Sequence, residues 1–412
     1  MNAEIIAVGS ELLTPQRVDT NSLWLTDQLN ALGVEVTTKT IVGDHRERLA
    51  EAVRAAYARS ELVILTGGLG PTEDDVTRDA VAAALGRSQV FRQDICDAID
   101  QRFRRSQRTM AEINKRQAFV LEGAEALPNP NGTAPGQWIQ EGGRAVVLLP
   151  GPPNEMQPLF AGECLPRLRR MLPPQVIRTR SYRVALMSES ELDQRIAPVY
   201  TKYTNPATTI LAAAGDIQIH LRARCLGEAE AESLLAEVGR EIEGILGDWI
   251  YSRNLDPLEV VVGGALRGRS LTLSVAESCT GGLLAQRITS VPGASDYFLG
   301  GFLTYSNRMK IELLGVPEEV LREHTAVSEQ VAEAMARGAR LRTGSSYALS
   351  VTGIAGPGGA TGTIPVGSVV AGLAGPDACR TRRARFLGDR ERIRALAAQL
   401  ALDMLRRELA GL

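Results

Sequence analysis

The chain has 412 residues and a mass of 44.3 kDa, more than one hydrophobic core usually organises, so we expect two or three domains. Apolar residues make up 44% and charged residues 23% of it, which excludes a disordered or fibrous protein. The net charge of −2 and the pI near 6.1 argue against a nucleic-acid binder, whose domain is usually basic.

The residue pattern predicts neither a membrane span nor a secretory signal. It has no apolar run of about 18 residues, the length that a transmembrane helix needs. Its first residues, MNAEIIAVGSELL, include Glu4 and no basic leader ahead of the apolar stretch, which is not typical of a secretory signal. We therefore expect a cytoplasmic protein without membrane contact.

The few cysteines, histidines and lysines limit the kinds of catalytic and metal sites that the chain can form. Five cysteines are scattered without a CxxC pair, and the three histidines stand alone, which argues against a disulfide framework or a structural zinc site. Only Lys39, Lys115, Lys202 and Lys310 occur among the 46 basic residues. Because a lysine can be desolvated into a base and an arginine cannot, each of the four is a candidate for chemistry.

The chain up to about residue 170 alternates short aliphatic strands with helices. Predicted strands cover residues 4–8, 34–42, 61–66 and 145–149, and predicted helices include residues 21–32 and 45–58. The alternation predicts an α/β domain over residues 1–170, with a mostly parallel sheet covered on both faces. Pro173 and Pro174 follow as a linker, because paired prolines continue neither a helix nor an inner strand.

Residues 175–253 follow a different order. A strand over residues 177–186 precedes a capping box, Ser188 to Glu191, that begins a helix. Two strands, 208–213 and 217–224, form a predicted hairpin, and a long amphipathic helix covers residues 228–246. This small α+β module has no chemical motif, and we expect it to serve in spacing or assembly, consistent with a homodimer.

Residues 257–412 return to alternating strands and helices. The predicted strands are 271–275, 301–305, 347–351 and 366–373, and a final helix covers about 390–409. The predicted fold class is therefore α/β, with two three-layer α/β domains flanking a small α+β domain.

The first chemical motif follows the predicted strand at residues 61–66. Gly67, Gly68 and Gly70 precede Thr72 and the acidic run Glu73–Asp75. Glycines beyond a strand end let backbone amides approach a phosphate, and Asp74 or Asp75 would then hold a divalent cation. The spacing is neither GxGxxG nor a Walker loop. Alternatively, Thr72 only caps a helix whose first turn contains the three acids.

Other loops of the same domain are also rigid and polar. They cover residues 9–11, 19–21, 131–136 and 150–153. Loops of this kind are expected to converge on a ligand.

The second motif places Ser278 between a predicted strand and a helix, where exposed amides favour a developing anion. No histidine motif supplies a base. Lys310 is the candidate base and Tyr305 a proton relay, since a Ser-Lys pair is a known alternative to Ser-His-Asp. Three alternatives remain: Ser278 only caps a helix, Lys310 is a solvated helix lysine, or Cys279 is the nucleophile.

The third motif is a glycine-rich loop after the strand at 347–351. Thr352, Gly353 and Gly356 supply backbone amides for a phosphate or an oxyanion. Arg390 and Arg394, in the first turns of the last helix, could contact a substrate phosphate. The basic runs 102–108 and 380–385 lack interleaved aromatic residues and indicate solvated faces rather than a nucleic-acid groove.

These motifs together resemble the CinA family (competence/damage-inducible protein A) over essentially the whole chain. The segments GSELL, TGGLGPTEDDVT, NGTAPG and PGPPNEM are similar to its molybdopterin-binding-like domain. The segments AESCTGG, YSNRMK, LGV and TGIAGP are similar to its nicotinamide-nucleotide amidase domain. Pro15 departs from the family's ELLxGQ stretch, where a glycine is expected.

The resemblance implies a bifunctional hydrolase of pyridine-nucleotide recycling. The C-terminal domain would deamidate nicotinamide mononucleotide without a cofactor, using Ser278, Lys310 and Tyr305. The N-terminal domain would cleave ADP-ribose to AMP and ribose 5-phosphate, using Mg, Co or Mn held by Asp19, Asp74 and Asp75, with K as a further ion. The implied substrate-binding residues are Thr280, Gly281, Gly282, Thr352, Gly353, Ala355, Gly356 and Arg390 in the C-terminal domain, and Gly67, Gly68, Gly70, Thr72, Asn131, Gly132 and Thr133 in the N-terminal domain.

Two alternatives stay open. The N-terminal domain could bind or carry a molybdopterin without turnover, because similar loops serve different phosphorylated ligands on one fold. A role as an accessory in competence or DNA damage follows only from the family's name, and the acidic pI argues against it.

Overall fold

The structure is a computed structural model that describes residues 1–173 and 175–412. It divides into two compact units, Met1–Ile177 with Arg224–Gly227 and Arg178–Ala223 with Glu228–Leu412. Pro174 of the predicted linker lies outside the described residues. The division into three domains at residues 1–170, 175–253 and 257–412 stays a prediction.

The first unit is built from short strands and helices in alternation. Its strands are β1 Asn2–Val8, β2 Glu35–Val42, β3 Leu62–Thr66, β4 Gln89–Phe91, β5 Phe119–Leu121, β6 Glu125–Leu127, β7 Gly136–Glu141 and β8 Arg144–Leu149. Its helices are α1 Thr20–Ala31, α2 Arg46–Arg59, α3 Thr77–Leu85, α4 Gln93–Arg105, α5 Pro153–Leu159 and α6 Leu165–Met171.

A six-stranded sheet with the order β2-β1-β3-β8-β7-β6 organises this unit. The four strands β2, β1, β3 and β8 are parallel, and β7 and β6 run antiparallel. Every residue of β3 is buried, because apolar clusters form on both faces of the sheet. Leu25 and Phe160 belong to one cluster, and Val53 and Val81 to the other. The predicted α/β fold with a covered sheet is confirmed.

The acidic run after β3 differs from the predicted helix start. Residues 71–74 form bends and a turn, residues 75 and 76 have no regular structure, and α3 begins only at Thr77. The Asp75 carboxylate accepts hydrogen bonds from the backbone N–H groups of Gly70 and Thr72, at 2.8 and 2.9 Å. The carboxylate thus holds the segment as a turn, and the hypothesis that Thr72 caps a helix is wrong.

Most of the small α+β module belongs to the second unit. Its elements are β9 Val176–Ala185, α7 Glu189–Tyr200, β10 Ala207–Ala213, β11 Asp216–Cys225, α8 Glu228–Leu246 and β12 Ile250–Ser252. The strands form a sheet with the order β10-β11-β9-β12. The predicted hairpin is present as β10 and β11, which pair antiparallel, and α8 has the predicted bounds.

The remaining residues add a second α/β sheet. The elements are α9 Leu258–Arg267, β13 Leu273–Glu277, α10 Leu283–Thr289, β14 Phe298–Leu303, α11 Asn307–Leu314, α12 Glu318–His324, α13 Glu329–Thr343, β15 Tyr347–Gly353, β16 Ser368–Ala374, β17 Cys379–Arg385 and α14 Arg390–Ala410. The sheet order is β14-β13-β15-β16-β17. Strands β14, β13 and β15 are parallel, while β16 and β17 are antiparallel.

Two apolar clusters cover the faces of this second sheet. Val262 of α9, Leu284 of α10 and Leu400 of α14 belong to one cluster. Leu314 of α11 and Met335 of α13 belong to the other. The predicted three-layer arrangement is confirmed.

The basic run at residues 380–385, predicted as a solvated face, forms most of the strand β17. This strand lies at the edge of the sheet, and Arg383 and Arg385 on it are exposed. Within residues 1–173 and 175–412, no helix has both the length and the apolar character that crossing a membrane requires.

Candidate functional site

Ser278 occupies the turn between β13 and α10. The turn lies at the carboxyl end of β13, in the middle of the parallel part of the sheet, where α/β proteins bind ligands. The Ser278 backbone N–H donates to the Val351 carbonyl of β15 at 2.9 Å. This bond fixes the start of the turn to the neighbouring strand, and the residue is 8% exposed.

Lys310 reaches Ser278 from the first turns of α11. Ser306 caps this helix by accepting the backbone N–H of Met309. The Lys310 amine lies 3.1 Å from Ser278 Oγ and 2.8 Å from the Thr304 carbonyl oxygen. With the lysine residue 1% exposed, burial lowers the pKa of Lys310 to about 8. About a tenth of the amine is therefore uncharged at pH 7, far more than for a lysine with its ordinary pKa of 10.5.

Three alternatives for these residues do not fit the structure. The Ser278 hydroxyl faces the Lys310 amine, and α10 begins five residues later at Leu283, so Ser278 does not cap that helix. Lys310 is buried rather than solvated. Cys279 is also buried, and desolvation raises the pKa of its thiol to about 12, which keeps it protonated and weakly nucleophilic.

The structure does not support the expectation that the amides of Gly281 and Gly282 bind an anion. Their backbone N–H groups do not face a substrate oxygen, because the Gly281 N–H donates to the Ser278 carbonyl. The Gly282 N–H donates to the Glu277 carboxylate at 3.0 Å. Because both amides are already satisfied within the protein, the helix end is not the anion site that the sequence indicated. Glu277 is the residue of the candidate site that the sequence analysis does not identify, and its signal is an acid at the end of a buried strand.

A cavity of about 230 Å³ opens onto Ser278 and Lys310. The predicted site residues among its lining are Ser278, Tyr305, Lys310, Thr352, Gly353, Ala355, Gly356 and Arg390. The structure thus brings together residues from four separate segments. Thr280, Gly281 and Gly282 are not among the lining residues, and the buried Thr280 Oγ1 has no hydrogen-bond partner within the described part of the chain.

Tyr305 and Arg390 lie at the mouth of this cavity. Tyr305 is 62% exposed, and its hydroxyl accepts a hydrogen bond from Arg390 at 3.3 Å. Arg390 also donates to the Gly356 carbonyl at 2.7 Å, which ties the last helix to the glycine-rich loop. The Tyr305 hydroxyl is thus paired with Arg390 and not with Lys310, so its role as a proton relay stays a prediction.

The N-terminal glycine loop is tightly constrained. Gly67 has a φ of +107°, and a Cβ atom there would lie 2.2 Å from the Val8 carbonyl oxygen. A Cβ on Gly68 would lie 2.3 Å from Thr77 Oγ1. The buried Arg78 side chain donates to the carbonyls of Leu69 and Gly70, at 2.7 and 2.9 Å. This bracing by Arg78 gives the loop a fixed shape, which the sequence does not indicate.

The three predicted metal ligands do not assemble into one donor set. Asp75 Oδ1 and Oδ2 are occupied by the loop amides described above. The Thr72 hydroxyl lies within hydrogen-bond distance of both Asp74 and Asp75 and can donate its one proton to either. Asp19 caps α1 by accepting the Ser22 N–H at 2.9 Å. Within the described residues no group of three His, Cys, Asp or Glu side chains could hold a metal ion. As placed, these residues do not fit a divalent ion held by the protein alone.

The remaining N-terminal loops line two different clefts. Gly132 and Thr133 line a cleft of about 570 Å³ beside α4, together with Arg102. Asp19 lines a cleft of about 300 Å³ that residues 151–153 also line. Three of the four predicted loops thus meet at this second cleft, since Glu11 lines it as well, while the loop at residues 131–136 lines the first. Asn131, by contrast, is engaged structurally, since its side-chain amide donates to the carbonyl of residue 154 at 2.7 Å.

Comparisons with known proteins identify the class of protein that carries this fold and site. Three family models match in order along the chain: Probable molybdopterin binding domain over residues 4–170, Damage-inducible protein CinA KH domain over residues 179–252, and CinA C-terminal domain over residues 255–409. The chain is thus a multidomain protein with a molybdopterin-binding-like first part and a CinA-type last part.

Relatives that align over almost the whole chain identify the family. A CinA-like protein from Solibacter usitatus is 61% identical over 411 residues, which cover 100% of this chain and 99% of the relative. Another from Koribacter versatilis is 49% identical, with 99% of this chain and 100% of the relative covered. The chain belongs to the CinA family. A crystal structure of a CinA superfamily protein from Klebsiella pneumoniae is 34% identical over 38% of this chain and 97% of its own, with a TM-score of 0.37.

Proposed function

We propose that the C-terminal site hydrolyses the carboxamide of nicotinamide mononucleotide, giving nicotinate mononucleotide and ammonia. The observation that carries the proposal is the 3.1 Å contact between the Lys310 amine and Ser278 Oγ inside a cavity. A buried lysine with a pKa of about 8 is a suitable general base near neutral pH. Serine activated by lysine is an arrangement used for acyl transfer.

The reaction would begin when uncharged Lys310 takes the hydroxyl proton of Ser278. The alkoxide attacks the carboxamide carbon, the C=O π electrons move to oxygen, and a tetrahedral intermediate forms. Lys310 then gives its proton to the leaving nitrogen, the C–N bond breaks, and ammonia departs from a serine ester. Water, deprotonated by Lys310, attacks the ester and releases the carboxylic acid and Ser278. The thiol of Cys279, protonated by burial, takes no part.

The oxyanion needs donors other than the helix end. The backbone N–H groups of Cys279 and Thr280 donate to no other residue within the described part of the chain. The amide that follows a nucleophile is a common oxyanion donor, and each such donor contributes about 3–4 kcal/mol to transition-state stabilisation. We assign this role to the Cys279 N–H. Arg390, at the mouth, would hold the anionic phosphate of the nucleotide.

The test of this proposal is ammonia release by the full chain. Purified protein is incubated with nicotinamide mononucleotide, and ammonia and nicotinate mononucleotide are measured by a coupled assay and by mass spectrometry. Ser278→Ala should abolish both products. Ser290→Ala, which removes an exposed serine at the end of α10, should leave them unchanged. Ammonia release by Ser278→Ala at the wild-type rate would exclude Ser278 as the nucleophile.

For the N-terminal part we propose cleavage of ADP-ribose to AMP and ribose 5-phosphate. The supporting observation is the rigid glycine loop at the carboxyl end of β3, braced by Arg78, since such loops bind phosphates. The proposed requirement for Mg, Co or Mn, with K, rests on the family resemblance. Because the acidic residues do not form a donor set, we assign no bond-breaking step to a metal.

Product analysis separates this activity from the alternative, a molybdopterin-binding domain without turnover. The full chain is incubated with ADP-ribose and each of the three divalent metals, with and without potassium. AMP formation that is lost in Asp74→Asn would support the hydrolase. A protein that forms no AMP under any of these conditions would favour the binding role. Binding to DNA with a steep salt dependence would instead support an accessory role.

A further inference from the structure

The turn that carries Ser278 is held from two sides by charged residues that the reaction scheme does not use. We infer that Glu277 and Arg394 are positioning residues that fix the Ser278–Gly282 turn for nucleophilic attack. The inference rests on the proposed serine chemistry. It does not depend on the identity of the substrate.

Glu277 holds the helix side of the turn. Its residue is 2% exposed, and its carboxylate accepts three backbone N–H groups, those of Gly282, Leu284 and Ala285, at 3.0, 3.0 and 2.8 Å. A buried carboxylate is costly unless such donors satisfy it, and charge-assisted hydrogen bonds of this kind are strong. The bonds close the N-terminal end of α10 and fix where the turn must finish.

The same residue is also connected to the base. The Glu277 carbonyl accepts the Thr304 N–H at 2.8 Å, and the Thr304 carbonyl accepts the Lys310 amine at 2.8 Å. Glu277 therefore anchors the turn that carries the nucleophile and the backbone that orients the base. A shift of its backbone would alter the position of Lys310 relative to Ser278.

Arg394 holds the opposite side of the turn. It comes from α14, 114 residues away in the sequence, and donates through Nε and Nη2 to the Thr280 carbonyl at 3.0 and 2.6 Å. A planar guanidinium that uses two nitrogens on one oxygen restrains the direction of that carbonyl. Since the Thr280 carbonyl also accepts the Leu283 N–H, its orientation is set at the middle of the turn.

This arrangement leaves the Cys279 amide of the turn for a ligand in the cavity. The N–H groups of Ser278, Gly281 and Gly282 are all bonded within the protein. Those of the two residues between them, 279 and 280, donate to no other residue among residues 1–173 and 175–412. Of these two residues Cys279 lines the cavity, whereas Thr280 is fully buried outside its lining. By holding the two ends of the turn, the two charged residues keep the Cys279 N–H available for the oxyanion.

The experiment compares Arg394→Ala with a matched control, Arg340→Ala. Arg340 also donates to a backbone carbonyl from a helix, that of Ser346 at 3.0 Å, but this carbonyl precedes β15, at the edge of the sheet opposite the Ser278 turn. For Arg394→Ala we expect kcat to fall about 100-fold with KM changed less than about threefold, because small misplacements of reacting groups cost rates of this order. Added guanidinium at non-denaturing concentration should restore part of the loss, whereas equimolar potassium chloride should not. Arg340→Ala should keep its kcat.

A second readout works without the substrate. Sulfonylation of Ser278 by phenylmethylsulfonyl fluoride, followed by intact mass, should slow in Arg394→Ala and in Glu277→Gln in parallel with kcat. Arg394→Lys, which offers one donor nitrogen in place of two, should give intermediate rates. It keeps the inference testable if the alanine variant does not fold. Normal sulfonylation and kcat in folded Arg394→Ala and Glu277→Gln would overturn the inference.

These measurements also distinguish a failure of the positioning inference from a failure of the proposed substrate. If the wild type is sulfonylated at Ser278 but releases no ammonia, the substrate is wrong and the sulfonylation rates still decide the positioning role. If Ser278 is neither sulfonylated nor required for ammonia release, the nucleophile assignment and the inference are both wrong.

Discussion

The Thr304 carbonyl accepts a hydrogen bond from Lys310 at 2.8 Å, and this bond directs the amine toward Ser278. A carbonyl accepts from an ammonium and also from an uncharged amine, so it orients Lys310 without fixing a positive charge on it. A carboxylate in the same place would favour the charged form and raise the pKa of Lys310. The partner that the fold supplies is therefore compatible with a lysine that acts as a base.

The pH dependence of activity should follow Lys310. Only the uncharged amine can take the Ser278 proton, and its pKa is lowered to about 8, so kcat/KM should rise with pH through about 8 and then level off. Lys310→Arg should be inactive at every pH, because a guanidinium keeps its proton. Initial rates across this pH range check the expectation. A profile that is flat through pH 8 would contradict the assignment of Lys310 as the base.

Burial of Lys310 should also appear in stability. The folded pKa, about 8, lies below the ordinary value of 10.5, so the unfolded chain binds more protons between these values and stability rises with pH there. Lys310→Met removes the titrating group. Between pH 8 and pH 10.5 the wild type should therefore gain about 3 kcal/mol of unfolding free energy relative to Lys310→Met. Urea unfolding of both proteins at the two ends of this range measures the change.

Cys279 should be dispensable. Its residue is 5% exposed, and burial raises the pKa of its thiol to about 12, so it should resist alkylation by iodoacetamide at neutral pH. Cys279→Ala should keep kcat within a few-fold of wild type, since the backbone N–H remains. Loss of ammonia release comparable to that of Ser278→Ala would instead make the cysteine the nucleophile.

A buried ion pair in α14 should matter for stability. Asp403 is fully buried and lies 2.7 Å from Arg406, which is itself nearly buried. Asp403→Ala leaves the Arg406 charge without its partner, so the free energy of unfolding should fall by about 3–5 kcal/mol. Glu408→Gln, which breaks the more exposed pair with Arg380, should change it by less than about 1 kcal/mol. Equal losses in the two variants would contradict this account.

The sequence predicted the pairing of Ser278 with Lys310 better than the surroundings of the pair. Ser278 and Lys310 were identifiable because each follows a strand and because lysine is rare in this chain. The hydrogen bond from the Gly282 amide to Glu277 could not be predicted, because the direction of the Glu277 side chain depends on packing around β13. The contribution of Arg394 was equally hidden, since its contact with the Thr280 carbonyl joins residues 114 positions apart.

The turn after β3 shows the same limit in the N-terminal part. An acidic run after a threonine is a typical helix start. The sequence alone therefore allows that interpretation as one of two alternatives. The Asp75 carboxylate instead folds back onto the Gly70 N–H at 2.8 Å. A side chain that competes with the helix for backbone donors in this way decides the local structure, and its direction depends on the tertiary setting.

The glycine loop after β3 should tolerate no side chain. Gly67 combines a φ of +107° with a Cβ position only 2.2 Å from the Val8 carbonyl oxygen, so Gly67→Ala must displace the loop against β1. We expect a loss of about 2 kcal/mol or more in unfolding free energy and loss of any N-terminal AMP formation. Gly142→Ala is the matched control, because Gly142 also has a positive φ, +56°, but a Cβ there meets nothing within 4 Å. It should lose about 1 kcal/mol from backbone strain alone and keep the N-terminal activity. If Gly67→Ala were as stable and active as Gly142→Ala, the close approach to Val8 would not shape this loop.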